Sequence, residues 1–172
     1  QHREQVQQQG GFYTADMPFY HSLFTALYNQ RSDSQTEEIR AFIQKQMREK
    51  WIMTLTRIAY QLKGKDKIIH NYNTKEQYEL QENIVDSNRE IIQEDSLALK
   101  SLLGADDVNE IKSVYNWINR TPTYIWRVNS KPKNVDERIA RFYADSDRAH
   151  LGCDGDPASS YSALGVRASR TK

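Results

Sequence analysis

The sequence predicts a mixed α+β domain, and three observations predict it. Apolar residues recur at helical spacing behind good N-terminal signals at residues 35–49 and 107–118. Runs rich in β-branched and aromatic residues, WIMTLTRIAYQL at 51–62 and TYIWRVN at 123–129, read as strands. From Asp136 onward the apolar period becomes two. At 172 residues the chain is long enough for one real core. Residues 12–172 are expected to form a single domain, behind a flexible, Gln-rich polar tail at 1–11.

In order, Pro18 to Gln30 predicts a short helix with Leu23, Phe24, Leu27 and Tyr28 on one face. Ser34 and Glu37 have capping-box spacing, and Ile39, Phe42, Ile43 and Met47 then mark a helix over 35–49. Gly64 supplies a turn from the 51–62 strand into a hairpin partner, Lys67 to Tyr72. Glu76 to Val85 alternates less clearly and reads as a third strand. Asp95 opens a short helix through Leu97, Leu99, Leu102 and Leu103, and Gly104 closes it. Asp107 with Glu110 restarts helix, with Val108, Ile111, Val114, Tyr115 and Ile118 as its stripe and Pro122 as its stop. Thr123 to Asn129 is a strand, and SKPKN after it is a turn. Next, Ala140, Phe142 and Ala144 point one way and Arg141, Tyr143 and Asp145 the other. After a turn at Ser146-Asp147, Ala149, Leu151 and Cys153 share the apolar face, opposite Arg148, His150, Gly152 and Asp154. Gly155 to Ser162 reads as a loop, and Leu164, Val166 and Ala168 as a final strand.

Composition excludes several classes. A net charge of +1 with dispersed Lys and Arg argues against a nucleic-acid binder. No apolar run is long enough for a membrane span, and the polar opening residues carry no signal-peptide pattern. The one cysteine, Cys153, rules out an internal disulfide and a Cys-based zinc site. It is expected to be a small buried hydrophobe. No nucleotide fingerprint, nucleophile motif or metalloprotease motif is present, so no cofactor is expected and the protein reads as a non-enzyme. His21, His70 and His150 are separated in sequence, and His150 reads as a surface histidine. Lys63, Lys65 and Lys67 form a small basic turn.

Residues Tyr143 to Arg167 differ in composition from everything before them. They contain no Glu, Gln, Lys, Met or Trp, although residues 1–142 hold 40 such residues. At that density about 7 are expected in a stretch this long. Asp, Ser, Gly, Tyr and His fall at the outward positions or in the loop, while Ala, Leu, Cys and Val keep the apolar period. Tyr, Ser and Gly suit adaptable binding surfaces. Free mutation of adenines in AAC or AAT codons reaches Asn, Asp, Tyr, His, Ser, Gly and several others. It never reaches Glu, Gln, Lys, Met or Trp.

On these residues the tail ADSDRAHLGCDGDPASSYSALGVRASR resembles the hypermutated C-terminal region of the variable proteins of diversity-generating retroelements, in versions from archaea and their viruses. The resemblance implies a C-type-lectin-like fold, with helices packed on a mainly antiparallel sheet. The terminal strands and connecting loop would carry a variable ligand-binding surface, with 143–167 as the variable region. Leu164-Gly165-Val166-Arg167 is similar to the ending of that fold's wider relatives. A Trp-containing strand at 123–129 and two preceding helices also fit. The positions implied as variable are Tyr143, Asp145, Asp147, His150, Gly152, Asp154, Gly155, Asp156, Ser159 and Tyr161. The implied partner is a protein or cell-surface ligand, met by a chain displayed on a cell or virion surface. Two alternatives use the same residues. One is a calcium-dependent carbohydrate-binding module using Asp145, Asp147, Asp154 and Asp156, although their spacing is not that of an EF-hand. The other is a structural surface or tail protein in which the patch is only a polar edge.

Overall fold

The computed structural model describes residues 12–70, 77–79, 89–127, 132–158 and 166–167. Phe12–Tyr13 (β1) leads into α1 (Met17–Asn29) and α2 (Ser34–Glu49). Asp16 caps α1 by accepting from the Phe19 amide at 3.0 Å, and a proline stands in the first turn, where no helical donor is lost. The α2 cap is Asp33 and not the expected Ser34. The Asp33 carboxylate accepts from the Gln35 amide at 3.1 Å. Glu37 turns away from the cap to Arg40, with oxygens 2.8 and 2.9 Å from its Nε.

Ile52–Tyr60 (β2), Lys67–Ile69 (β3), Gln77–Glu79 (β4) and Arg89–Glu90 (β5) follow. The short strand β5 had no sequence signal. Residues 71–72 and most of the expected strand at 76–85 lie outside the described residues. A 3₁₀ turn at Gln93–Asp95 opens into α3 (Ser96–Leu103), and Gly104 ends that helix at φ 73°, where a side chain would be strained. Asp107 caps α4 (Val108–Asn119) through the Asn109 and Glu110 amides. That helix stops at Arg120, which adopts a left-handed conformation at φ 62°, so it ends before Pro122 can act. Side chains of α2 cover its last carbonyls. Arg40 donates to the Ile118 carbonyl at 2.8 Å, and Gln44 and Arg48 donate to that of Asn119. Cations at this end also complement the helix dipole.

Thr123–Trp126 (β6), Asp136–Ala144 (β7) and Ala149–Gly155 (β8) complete the main sheet, and Val166–Arg167 (β9) returns to pair with β1. Seven strands run in the order β4-β3-β2-β7-β8-β6-β5. Every pairing is antiparallel except β6 with β8. Among the described residues, four helices and this mixed, open sheet make the domain α+β, as the sequence predicts.

The helices bury one face of the sheet. Tyr20 and Phe24 of α1, Tyr115 of α4 and Phe142 of β7 form a contiguous aromatic cluster with ring centroids 5.4–6.2 Å apart. Ala140, Phe142, Ala144, Ala149, Leu151 and Cys153 all lie in this core, as the period-two reading requires. Burial pushes the Cys153 thiol up to about 12, so it is an unreactive hydrophobe. Two other histidines belong to the scaffold. His21 stacks on Tyr115, with Nδ1 3.2 Å from the phenol oxygen. His70 Nε2 donates to the Ser101 carbonyl, and its Nδ1 faces the Thr56 hydroxyl at 2.9 Å.

Candidate ligand-binding face

The register of the central strands decides where the unusual residues fall. β8 lies between β7 and β6, and its partners sit opposite each other in rows. One row is Phe142, Leu151 and Ile125, and it belongs to the core. The next is Tyr143, His150 and Tyr124, and a third is Arg141, Gly152 and Trp126. Successive residues alternate faces, so the second and third rows occupy the side of the sheet away from the first. This is the face the sequence reading assigned to solvent.

That face is covered. Tyr143 stacks flat on His150, with centroids 4.3 Å apart and planes 8° from parallel. Tyr124 closes the other side of the imidazole at 6.1 Å. His150 is only 3% exposed, and Gly152 and Gly155 are also buried. The surface-histidine expectation and the outward placement of these two glycines are therefore corrected. The physical cause is β6. Its parallel pairing makes β8 an interior strand, and its aromatic side chains shield residues that a single hairpin would leave wet.

Trp51, at the joint between α2 and β2, extends the cover. Its φ of 55° is in the left-handed region, a conformation costing a bulky residue about 1–3 kcal/mol. The indole lies 6.3 Å from the Tyr143 ring. The Arg141 guanidinium sits 4.5 Å from the Trp51 ring centre and 4.8 Å from that of Tyr143. The same guanidinium makes a bidentate pair with Asp154, at 3.1 and 2.6 Å. Burial, and then the Asp154 charge, push the Tyr143 phenol up to about 12, so it stays neutral.

The rim is open. Asp145, Ser146 and Asp147 are exposed in the four-residue turn between β7 and β8, closed by the Asp145 amide donating to the Arg148 carbonyl at 2.9 Å. The Asp145 carboxylate can only accept, so His150 Nε2, 3.1 Å away, carries the imidazole proton. Nδ1 then presents a buried lone pair with no partner among the described residues. Burial lowers the His150 pKa despite the carboxylate, because protonation would add a second N–H with nothing to accept it. Arg148 pairs with Asp147 at 2.8 Å and lies 5.1 Å from the Tyr124 ring centre. Its hydrogen bond holds the Asp147 carboxyl below the usual range.

Asp156 is exposed beyond the far end of β8. Ser159 and Tyr161 lie outside the described residues, as do Leu164 and Ala168 of the expected last strand. The four aspartates of the calcium alternative do not converge. Asp154 is held by Arg141 and Asp147 by Arg148, and four strand residues, about 13 Å, separate Asp154 from the His150 end. Among the described residues no three His, Cys, Asp or Glu side chains are placed to share a metal ion. No helix among them is long and apolar enough to cross a membrane.

Sequence reasoning placed Trp51 and Tyr124 in strands and did not mark either as part of this face. The parity of Tyr124 against Thr123 and Ile125 was the available signal. No family model, curated protein or solved structure matches the chain.

Proposed function

We propose that this is a non-enzymatic ligand-binding protein of the retroelement-diversified kind, with a C-type-lectin-like arrangement, whose binding surface is the rim and outer face of β7 and β8. The observation that carries the reading is the overlap of a compositional bias with an exposed rim. The residues lacking Glu, Gln, Lys, Met and Trp begin after Glu137, within β7, and include the β7–β8 turn and the far end of β8. Two features of the fold support it. β2, β7 and β8 form a contiguous antiparallel unit preceded by two helices, and the first and last described strands pair with each other.

The geometry sorts the implied variable positions by how freely each can change. Asp145, Asp147 and Asp156 are exposed, and substitution there costs within about 0.5 kcal/mol. Tyr143 and Asp154 are half-buried and tied to Arg141. His150 and Gly152 can change only if Tyr143 repacks above them. Gly155 faces backbone and belongs to the scaffold.

The test is in the DNA. Sibling sequences should differ at Asp145, Asp147, Asp156, Tyr143 and Asp154, with adenine-bearing codons in a near-identical template repeat close to a reverse transcriptase gene. Absence of both the repeat and the reverse transcriptase removes the proposal.

A further inference from the structure

Helix α2 has three sides, and the fold uses two of them. Its inner stripe, Thr36, Arg40, Ile43 and Met47, is buried. One flank is tied to α4, where Arg40, Gln44 and Arg48 donate to the Ile118 and Asn119 carbonyls. The opposite flank carries Ile39, which is 40% exposed, and Phe42, which is 52% exposed. Residues three apart are neighbours on a helix surface. Surface apolar residues are ordinary when they stand singly. Here two large ones stand side by side near the middle of a 16-residue helix.

Their surroundings have a pattern. Gln35, Ile39, Phe42 and Gln46 follow four-three-four spacing, which is that of a seam between two helices. Glu38 and Lys45, both exposed, border this seam on one side. On the other side the helix meets its own core through Thr36 and Ile43.

We propose that α2 pairs along this seam with α2 of a second copy of the chain, in antiparallel register. With the two-fold axis between residues 40 and 41, Ile39 of each copy meets Phe42 of the other, and Gln35 meets Gln46. Helical side chains lean toward the N-terminus of their own helix. Glu38 of one copy and Lys45 of the other therefore lean toward each other across the seam, and the symmetry makes this contact twice. A parallel pairing loses it. Both charges lie on the same side of the seam, and a parallel second helix would turn its core-facing residues, Thr36 and Ile43, to that side. A surface that complements itself under a two-fold axis is the mark of an isologous contact. The seam is about 24 Å long and apolar only at its centre. The interface is thus below the roughly 1,200 Å² of stable complexes, and the dimer is a weak one, with Kd about 0.1 mM. The inference rests on α2 alone and is independent of the reading of the β7–β8 face.

Sedimentation velocity of the full 172-residue chain, from about 10 μM to about 1 mM, tests it. The weight-average mass should climb from that of one chain toward that of two. Phe42→Glu should stay at one chain throughout. Because Phe42 is exposed, its melting temperature at about 10 μM should match wild type. Glu38→Lys and Lys45→Glu should each weaken association about tenfold, since each sets two like-charge contacts across the seam. Both exchanges in one chain should restore wild-type association to within about twofold. That recovery decides the register even if Phe42→Glu melts lower. The proposal is overturned by a wild-type chain that is still monomeric at about 1 mM, by Phe42→Glu associating as wild type does, or by a double exchange that fails to recover.

Discussion

Gly152 and Gly155 lie three residues apart on β8 and both are buried, yet substitution should separate them sharply. A Cβ at Gly155 would stand 2.7 Å from the Ile139 carbonyl oxygen and 3.2 Å from the Met53 methyl. Ile139 is the paired residue on β7, so the obstacle is backbone. Reaching an ordinary 3.4 Å contact moves it by about 0.7 Å. A Cβ at Gly152 would meet the Tyr143 ring at 2.7 Å, the Asp154 carboxylate at 2.9 Å and the Arg141 stem at 3.2 Å, all of them side chains. Overpacking costs about 1–3 kcal/mol, with rigid obstacles at the upper end. Exchanging Gly for Ala in a strand returns about 0.5–1 kcal/mol. Gly155→Ala should therefore lose about 1.5–2 kcal/mol net and Gly152→Ala about 0–0.5 kcal/mol. For a domain of this size the first lowers the melting temperature by roughly 3–8 °C and the second by less than about 2 °C. Thermal melts followed by circular dichroism measure both. Wild-type melting of Gly155→Ala, or a larger loss at Gly152 than at Gly155, would refute the sorting of this face into scaffold and repackable positions.

Other consequences are equally direct. Burial lowers the His21 pKa to about 4, so the unfolded chain binds the proton more readily, and stability present above about pH 6.5 should fall by about 3 kcal/mol as pH drops through 4. Denaturant melts across that range should show the loss, and an equally steep loss in His21→Phe would sink the assignment. Removing the Asp145 carboxylate as Asp145→Asn should lower the His150 pKa further, since that carboxylate raises it against burial. An NMR titration in which the pKa rises would contradict the pairing. Arg141→Met leaves Asp154 half-buried without its bidentate partner and should cost about 2 kcal/mol, largely recovered in the double variant with Asp154→Asn. Additive losses in that cycle would mean the pair is not coupled. Calcium at about 5 mM should leave the melting temperature unchanged, and a rise reversed by chelator would restore the aspartate-cluster reading.

The core half of the terminal hairpin was legible because period two is local. Once Ala140, Phe142 and Ala144 are set against Ala149, Leu151 and Cys153, both strands know their inner face. The outer half was not legible, because what covers it comes from far away in sequence. Tyr124 arrives through a parallel pairing, and Trp51 through a backbone conformation that its residue type disfavours. The parity of Tyr124 against Thr123 and Ile125 marks its face but not the strand it covers, and Trp51 leaves no periodic trace. The α2 cap shifted from Ser34 to Asp33 because both residue types cap well and the choice depends on whether Glu37 bonds the cap or Arg40. The two-residue strand β5 is too short to show alternation at all. The pairing of β1 with β9 joins opposite ends of the described chain, and no local pattern announces it.

That pairing has a mechanical consequence. Phe12 stands opposite Arg167 and Tyr13 opposite Val166, in antiparallel register. Anything attached at these two points leaves the domain side by side, and a pull between them loads the clasp as a zip, one pair at a time. Two residue pairs give way long before the seven-stranded sheet does. Under tension the flanks of the chain would peel away while the β7–β8 face keeps its shape.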